Sequence, residues 1–325
     1  VSWQAHWLAS ELVALGEQVT CFSYGEKPFG APYGHVRLSY SSRSPFLRRF
    51  ETALGFARVK KDAFDVLHFH GDDYLCAGSP RRVRTFYGSA LYEALHAKKF
   101  LRFIRQALFY KLEWISCLRR GTAVGISRLT QRALPLVRKV IPCGVPLSVF
   151  SPDGKKSDNP SVLFVGDLDS RKRGRLLLDA FAGVRAALPD AELAVVGPQP
   201  CEGGGVRYCG RLGQKELVGK YRSAWVYCCP SSYEGFGVPL IEAMACGTVV
   251  VACGCAGVRE VVEDGHTGLV CKPDALAETL VRALSEHALR NGLAANGLAY
   301  VKKFDMPVVA RLYRDLYGRV TGAER

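Results

Sequence analysis

The sequence predicts an α/β protein made of two doubly wound domains, and three observations carry that expectation. Short apolar, β-prone runs alternate with longer helical stretches along the whole chain, the order that yields parallel sheets covered on both faces. At 325 residues the chain exceeds the usual size of one domain. A stretch rich in Pro, Ser, Asp and Lys, from Pro146 to Pro160, separates two halves that each repeat the alternation. The expected boundaries are 1–146 for a first domain, 147–160 for a linker, 161–306 for a second domain and 307–325 for a terminal helix.

Ser2 to Leu15 has the pattern of an amphipathic helix, with Trp3, Trp7, Leu8, Leu12 and Leu15 on one face, and leads into a strand at 19–24. A doubly wound domain normally opens with a strand and a glycine-bearing loop ahead of that helix. Neither is present in the sequence, so the expectation is a chain that lacks its first strand. Further strands are expected at 66–70, 83–87, 123–127 and 139–143, with helices near 47–61 and 91–118. The second half gives strands near 161–166, 191–197, 206–209, 225–229, 249–253 and 268–272. Helices near 174–187, 214–223, 239–246 and 274–303 lie between or after them. Two such domains are expected to face one another across a cleft.

Composition agrees with a water-soluble enzyme, since no apolar run is long enough to span a bilayer. The twelve cysteines are scattered, several of them in predicted strands, and no CxxC pair occurs. That pattern is expected of buried, reduced thiols in a cytosolic protein rather than a disulfide framework. Charge is uneven: up to Phe150 there are 22 Lys and Arg against 10 Asp and Glu, and from Ser151 onward 22 against 20. Lys98 to Arg120 concentrates the excess. Phe100, Leu101, Phe103, Ile104, Leu108, Leu112, Trp114, Ile115 and Leu118 share one broad side there, with Lys98, Lys99, Arg102, Arg105 and Arg120 opposite. Such a helix suits an anionic membrane surface, and it equally suits core packing with a wet charged face. Nucleic acid is not expected, because no binding motif accompanies the charge.

The most informative stretch is Glu234-Gly-Phe-Gly-Val-Pro-Leu-Ile-Glu242. The charge-free run Trp225 to Pro230 before it has the pattern of a buried parallel strand, so the stretch forms a loop at that strand's carboxyl end and then a helix. Ligands of open α/β sheets bind at such edges. Gly235 and Gly237 let backbone approach a ligand, Pro239 suits the first helical position, and Glu242 is expected in the first turn. Free amides at the start of the helix, around Val238, can face phosphate or sugar oxygens. Glu242 is expected to accept hydrogen bonds from a ribose diol, and Glu234 from a sugar hydroxyl.

Pro230-Ser-Ser-Tyr-Glu-Gly-Phe-Gly237 resembles the hallmark of the family-4 glycosyltransferases of the GT-B fold, two Rossmann-like domains, in which seven residues separate two Glu. The resemblance extends to Asp65-Val-Leu-His-Phe-His70, Val140 to Val145 with Phe150, Ser161-Val-Leu-Phe-Val-Gly166 with Arg171-Lys-Arg-Gly174, Ala245-Cys-Gly247, and Glu260 to Val270. It implies an acceptor-binding first domain, a nucleotide-sugar-binding second domain and a last helix that crosses back to the first. It also implies hexosyl transfer with retention from a nucleoside-diphosphate sugar, as co-substrate, to a hydroxyl of a glycan, lipid or small molecule. No metal or other cofactor is required on this basis, and a cytoplasmic setting at the inner face of a membrane, in cell-envelope polysaccharide or glycolipid synthesis, is implied.

A nucleoside diphosphate leaves as a stabilised anion, so its departure needs positive charge more than a proton donor. Arg171, Lys172 and Arg173, after the strand ending at Gly166, supply that charge; Arg171 and Lys172 join Glu234 as the catalytic candidates. In related enzymes an Arg follows the strand glycine directly, whereas Asp167 stands here. Asp167-Leu-Asp169 also spells a DxD triplet, but outside the context in which such triplets bind metal. The segment Tyr208 to Leu212, including Arg211 and Leu212, is implied to meet the nucleobase. The family often carries His where Tyr87 stands, and His70, at a strand end, is the other cleft candidate. Two further readings stay open: an epimerase of the same fold, which needs no acceptor, and a noncatalytic nucleotide-sugar-binding module.

Overall fold

The computed structural model describes residues 2–59, 61–97 and 99–322. The chain divides into two compact units, Val1–Gly144 with Met306–Arg325, and Val145–Asp305. Segment 147–160 falls in the second unit. Arg222 ties it there by donating to the carbonyls of Val149 and Ser151 at 3.1 and 3.0 Å, and Lys156 donates to the Ala224 carbonyl at 2.8 Å.

The first unit runs α1 (Ser2–Ala14), β1 (Thr20–Ser23), β2 (Gly34–Arg37), α2 (Pro45–Ala57), β3 (Leu67–Phe69), β4 (Arg82–Phe86), α3 (Ala90–Leu95), α4 (Phe100–Leu118), β5 (Thr122–Gly125), α5 (Arg128–Ala133) and β6 (Lys139–Val140). All pairings are parallel, but they form two sheets: β1-β2 and β3-β4-β5-β6. α1 buries Trp7, Leu8 and Leu12, while Trp3 stays exposed. The helix expected at 91–118 is two helices, because Lys99 is extended (φ −116°, ψ 133°) and starts α4 afresh; Lys98 lies outside the described residues. α5 went unforeseen, although Ser127 caps it by accepting from the Thr130 amide at 3.1 Å. β2 escaped too, being short and mostly exposed, with no apolar run to mark it.

Asp73 is fully buried and holds the middle of this unit. It accepts from Arg82 Nε at 2.9 Å and Ser116 Oγ at 2.8 Å, and the Arg84 guanidinium lies 3.0 Å away. A buried carboxylate so engaged is structural.

The second unit continues with β7 (Ser161–Val165), α6 (Gly174–Ala187), β8 (Glu192–Val196), β9 (Val206–Gly210), α7 (Gln214–Ser223), β10 (Val226–Cys229), α8 (Val238–Ala245), β11 (Val249–Cys253), α9 (Ala256–Arg259), β12 (Gly268–Cys271), α10 (Leu276–Ser285) and α11 (His287–Val301). Its six strands form one parallel sheet in the order β12-β11-β10-β7-β8-β9. β10 and β11 are buried at every position, as expected of strands covered on both faces. Val162, Phe164, Leu177, Phe181, Leu193, Val226 and Leu280 form the core between sheet and helices. The helix expected at 274–303 breaks at Glu286, whose backbone is extended (φ −82°, ψ 91°). α12 (Met306–Thr321) belongs to the first unit, where it packs on α1. Every described cysteine is a free thiol.

Candidate functional site

β7, β10 and β11 lie side by side, and their carboxyl ends bring three loops together. From β7 the chain passes through α6 to β8 on one flank, while β10 occupies the other. The order of connection therefore reverses between β7 and β10, the point at which open α/β sheets bind ligands. The loop after β10 turns into α8 at Gly237, which has φ +96°; a Cβ there would lie 2.6 Å from Leu240 Cδ1. The left-handed backbone therefore favours glycine here, and the Leu240 side chain would have to shift for any larger residue. The helix starts at Val238 with Pro239 second. Glu242 consequently sits just beyond the first turn, a correction to its expected position.

Glu234 is 4% exposed. Its Oε1 accepts from Lys172 Nζ at 2.7 Å, and its Oε2 lies 3.2 Å from Arg171 Nη1. Burial alone would push this carboxyl's pKa up, but Lys172, Arg171 and a hydrogen bond from Ser231 outweigh it and hold the value below the ordinary range. Glu234 is therefore ionised at neutral pH. Gly166 lies against the lysine stem: a Cβ there would sit 3.0 Å from Lys172 Cβ and Cγ, so a larger residue would crowd the stem.

The two loops are fastened by backbone as well. Arg171 Nη1 donates to the Tyr233 carbonyl at 2.7 Å and the guanidinium lies over the Tyr233 ring at 5.6 Å. The Ser232 amide donates to the Arg171 carbonyl at 2.9 Å. Arg173, in the left-handed region at φ +50°, donates from Nε to the Pro230 carbonyl at 2.7 Å. Of the three basic residues, two reach the carboxylate and one clamps its loop. The third loop arrives through Gly257, where an added Cβ would collide with the Glu234 carbonyl oxygen.

Glu242 has a different environment. It is 9% exposed, and its Oε2 accepts from the Tyr221 hydroxyl at 2.9 Å. Burial raises its pKa, and the Tyr221 bond and Lys172 oppose this only in part, leaving it at about 7. The carboxyl is half protonated near neutrality.

The remaining sequence-derived residues divide. Gly235 in the loop and Val238 at the start of α8 are half-buried, and Phe236 packs edge-on against Phe304 with centroids 5.6 Å apart, so its ring braces the loop. Arg211 and Leu212 follow β9 at the far edge of the sheet, three ladder steps or roughly 14 Å from β10. Asp167 Oδ1 accepts from the amides of Asp169 and Ser170 at 2.8 and 3.0 Å, and Asp169 pairs with Arg175 at 2.5 Å. The triplet thus caps a turn before α6. His70 and Tyr87 lie in the first unit, His70 Nδ1 being 2.8 Å from the Tyr87 hydroxyl. Burial and then Arg84 push His70 down to about 3, and burial raises Tyr87 well above its ordinary value, so both stay neutral. Sequence reasoning missed Tyr221 and Gly257, which no local pattern marks. It also gave no role to Ser231, which the Pro-Ser-x-x-Glu context could have flagged.

Comparison with known proteins bears on the fold. Residues 159–286 match the family model described as Glycosyl transferases group 1. The phosphatidyl-myo-inositol mannosyltransferase of Mycobacterium tuberculosis (strain CDC 1551 / Oshkosh) is 34% identical over 205 residues, which are 56% of this chain and 54% of that protein. The chain thus spans about half the length of the curated relatives it matches. Among solved structures, sucrose-phosphate synthase (tll1590) from Thermosynechococcus elongatus superposes with a TM-score of 0.78 at 24% identity, covering 98% of this chain and 92% of that one. Anabaena Alr3699/HepE in complex with UDP-glucose gives 0.73 at 14% identity, covering 97% and 95%. These likenesses establish the fold. The match to the group 1 glycosyl transferase model falls within the second unit, and the fold is the one shared with these solved glycosyltransferase-like structures.

Proposed function

We propose that this protein transfers a hexose from a nucleoside-diphosphate sugar to an acceptor hydroxyl, with retention at the anomeric carbon and without an essential metal. The observation that carries the proposal is the convergence of Lys172 and Arg171 on the buried carboxylate of Glu234 at the switch point of the sheet. A diphosphate brought to this edge meets two cations already gathered in place. As the bond from the anomeric carbon to the β-phosphate oxygen breaks, its electron pair stays on that oxygen, where Lys172 and Arg171 stabilise it. The acceptor oxygen forms the new bond to carbon, and its proton passes to the released phosphate. Glu234, with cations drawn toward the diphosphate, accepts a hydrogen bond from a sugar hydroxyl, and Glu242 accepts from the ribose. The complex of a structural neighbour with UDP-glucose supports a donor of this class, and the names of the curated relatives support a mannosyl or related hexosyl group.

An acceptor at an anionic membrane, with the reaction on its cytoplasmic face, is part of the same reading. α4 leaves Phe100, Leu101, Ile104, Leu108, Ile115 and Leu118 exposed along one stripe, with Lys99, Arg105 and Arg119 around it. That surface suits the headgroup boundary of a bilayer. Among the described residues no helix is long and apolar enough to cross a membrane.

A donor screen reporting released nucleoside diphosphate, with and without acceptors and in EDTA, tests the proposal. Acceptor-dependent release that survives EDTA is expected. Epimerised donor without acceptor, binding without turnover, or loss of activity on chelation would each overturn a stated part.

A further inference from the structure

We propose that Cys271 and Cys253 form a redox-active dithiol at the root of the third loop, Cys271 reacting with hydrogen peroxide and Cys253 resolving it to a disulfide. Its effect on the donor rests on the proposed function; the covalent chemistry stands apart from it.

Register brings the two thiols together. β11 and β12 are parallel neighbours in which Cys253 stands directly opposite Cys271, so both side chains leave the same face of the sheet. Neighbouring strands lie about 4.7–4.9 Å apart, inside the window of about 4.4–6.8 Å between α-carbons that a disulfide spans. Cys228, on the same face of β10, is paired with Val251, two residues before Cys253. Two residues of rise and one strand of separation put its α-carbon roughly 8 Å from that of Cys253, beyond the reach of about 7 Å. Register therefore selects one pair.

The pair is asymmetric in access and in protonation. β12 is the outer strand of the sheet and Cys271 is half-buried on it, whereas Cys253 is buried behind. The hydrogen bond from Cys253, and then one with Thr279 of α10, hold the Cys271 thiol below its ordinary pKa against burial and the carboxylates of Asp264 and Asp274. The same bond, and then burial, push Cys253 up. A reachable, thiolate-prone sulfur beside a protonated one is the arrangement of an attacking and a resolving thiol. The Cys271 thiolate attacks one peroxide oxygen, the O–O bond breaks, and hydroxide leaves a sulfenic acid behind. The Cys253 sulfur then attacks the Cys271 sulfur, the S–O bond breaks, and water departs with the Cys253 proton. Two electrons pass from the sulfurs to the peroxide, which ends as hydroxide and water.

Closure reaches the site through the segment after β11. The Gly254 amide donates to the Cys271 carbonyl at 3.0 Å and the Cys255 amide to the Cys253 carbonyl at 2.8 Å. Gly257 of α9 follows, with its backbone against the Glu234 carbonyl. Disulfides favour α-carbon separations of about 5.5–6 Å, so closure spreads these strand ends by about 1 Å. That shift is passed to the loop that holds Glu234.

The test treats reduced protein with hydrogen peroxide, alkylates the remaining thiols and maps the peptides. A bond joining Cys253 to Cys271, formed about tenfold faster than any other thiol is oxidised, is expected. In Cys253→Ala a sulfenic acid should persist at Cys271 and be trapped by dimedone, while the parent should yield none at completion. The parent's peptide map decides alone if that variant does not fold. Oxidation of Cys271 no faster than that of the other thiols, a bond to Cys228 or between chains, or a lasting sulfenic acid in the parent would overturn the dithiol. UDP and GDP affinities measured by calorimetry before and after closure read the coupling. A loss of about tenfold or more for the nucleotide that binds, restored by dithiothreitol, is expected of a 1 Å displacement, and equal affinity in both forms would overturn the coupling. Failure of the reduced protein to bind either nucleotide would strike the donor site instead, since the peptide map is read without ligand.

Discussion

Glu242 offers the sharpest quantitative test, because its burial has a calculable consequence for stability. An ordinary Glu titrates near 4.5 and this one at about 7. Between those values the folded protein holds a proton that the unfolded chain has released, so stability falls as pH rises across the window. The favourable contribution is complete below 4.5 and gone above 7. Integrated between pH 5 and pH 8, a shift from 4.5 to about 7 amounts to about 2–3 kcal/mol. Glu242→Gln keeps an oxygen for the Tyr221 hydroxyl but cannot ionise. Relative to the parent, the variant should therefore gain about 2–3 kcal/mol on going from pH 5 to pH 8. Urea unfolding of both proteins at the two pH values measures this, and Glu113, also raised to about 7 by burial, cancels in the difference. A difference flat in pH would show that Glu242 titrates normally. Donor affinity gives the second reading: a ribose diol donates best to the ionised carboxylate, so affinity should climb as pH rises through 7 in the parent and stay flat in Glu242→Gln.

Three further outcomes follow from the site. Glu234→Gln should lower turnover by about 100-fold or more while costing about 1–3 kcal/mol of stability, since two partly exposed cations lose their partner; matched losses in both would deny it a catalytic role. Lys172→Met should weaken nucleoside-diphosphate binding about tenfold to 100-fold by calorimetry, the worth of one charge-assisted hydrogen bond, and unchanged affinity would move the role to Arg171. Gly257→Ala should displace the Glu234 loop, because the new Cβ meets the Glu234 carbonyl; full activity in that variant would show that the third loop does not position the carboxylate.

Much of the second unit was legible because its signals are local. α6 and α7 fall on the expected residues 174–187 and 214–223, where apolar periodicity and turn chemistry agree. The strands around β10 and β11 are short uncharged runs that can only be buried. What escaped was set by partners distant in sequence or by weak local patterning. β2 has no apolar alternation and exists through pairing with β1. The break between α3 and α4 turns on the backbone of Lys99, in a segment whose apolar period continues through it. Tyr221 lies 21 positions from the carboxylate it touches, and nothing in its own helix announces that contact.

The protonation states of the two glutamates were beyond sequence for the same reason, and they bear on how the site works. Both carboxyls are buried, and burial pushes each toward neutrality. Glu234 resists because Lys172 and Arg171, 62 and 63 positions away, fold against it; Glu242 has mainly the neutral Tyr221 hydroxyl. Carboxyls whose protonation is driven apart in this way can take different tasks. In the proposed reaction the permanent anion of Glu234 would store two cations for the leaving diphosphate, so the positive charge would stand ready at little cost in repulsion before the donor arrives. Glu242 carries little obligatory charge and can accept from a diol without first surrendering an ion pair. Exchanging the environments, rather than the residues, would therefore disable the site: with Lys172 and Arg171 removed, burial should leave both glutamates protonated near neutrality, and of the three basic residues only Arg173, held on the Pro230 carbonyl, would remain.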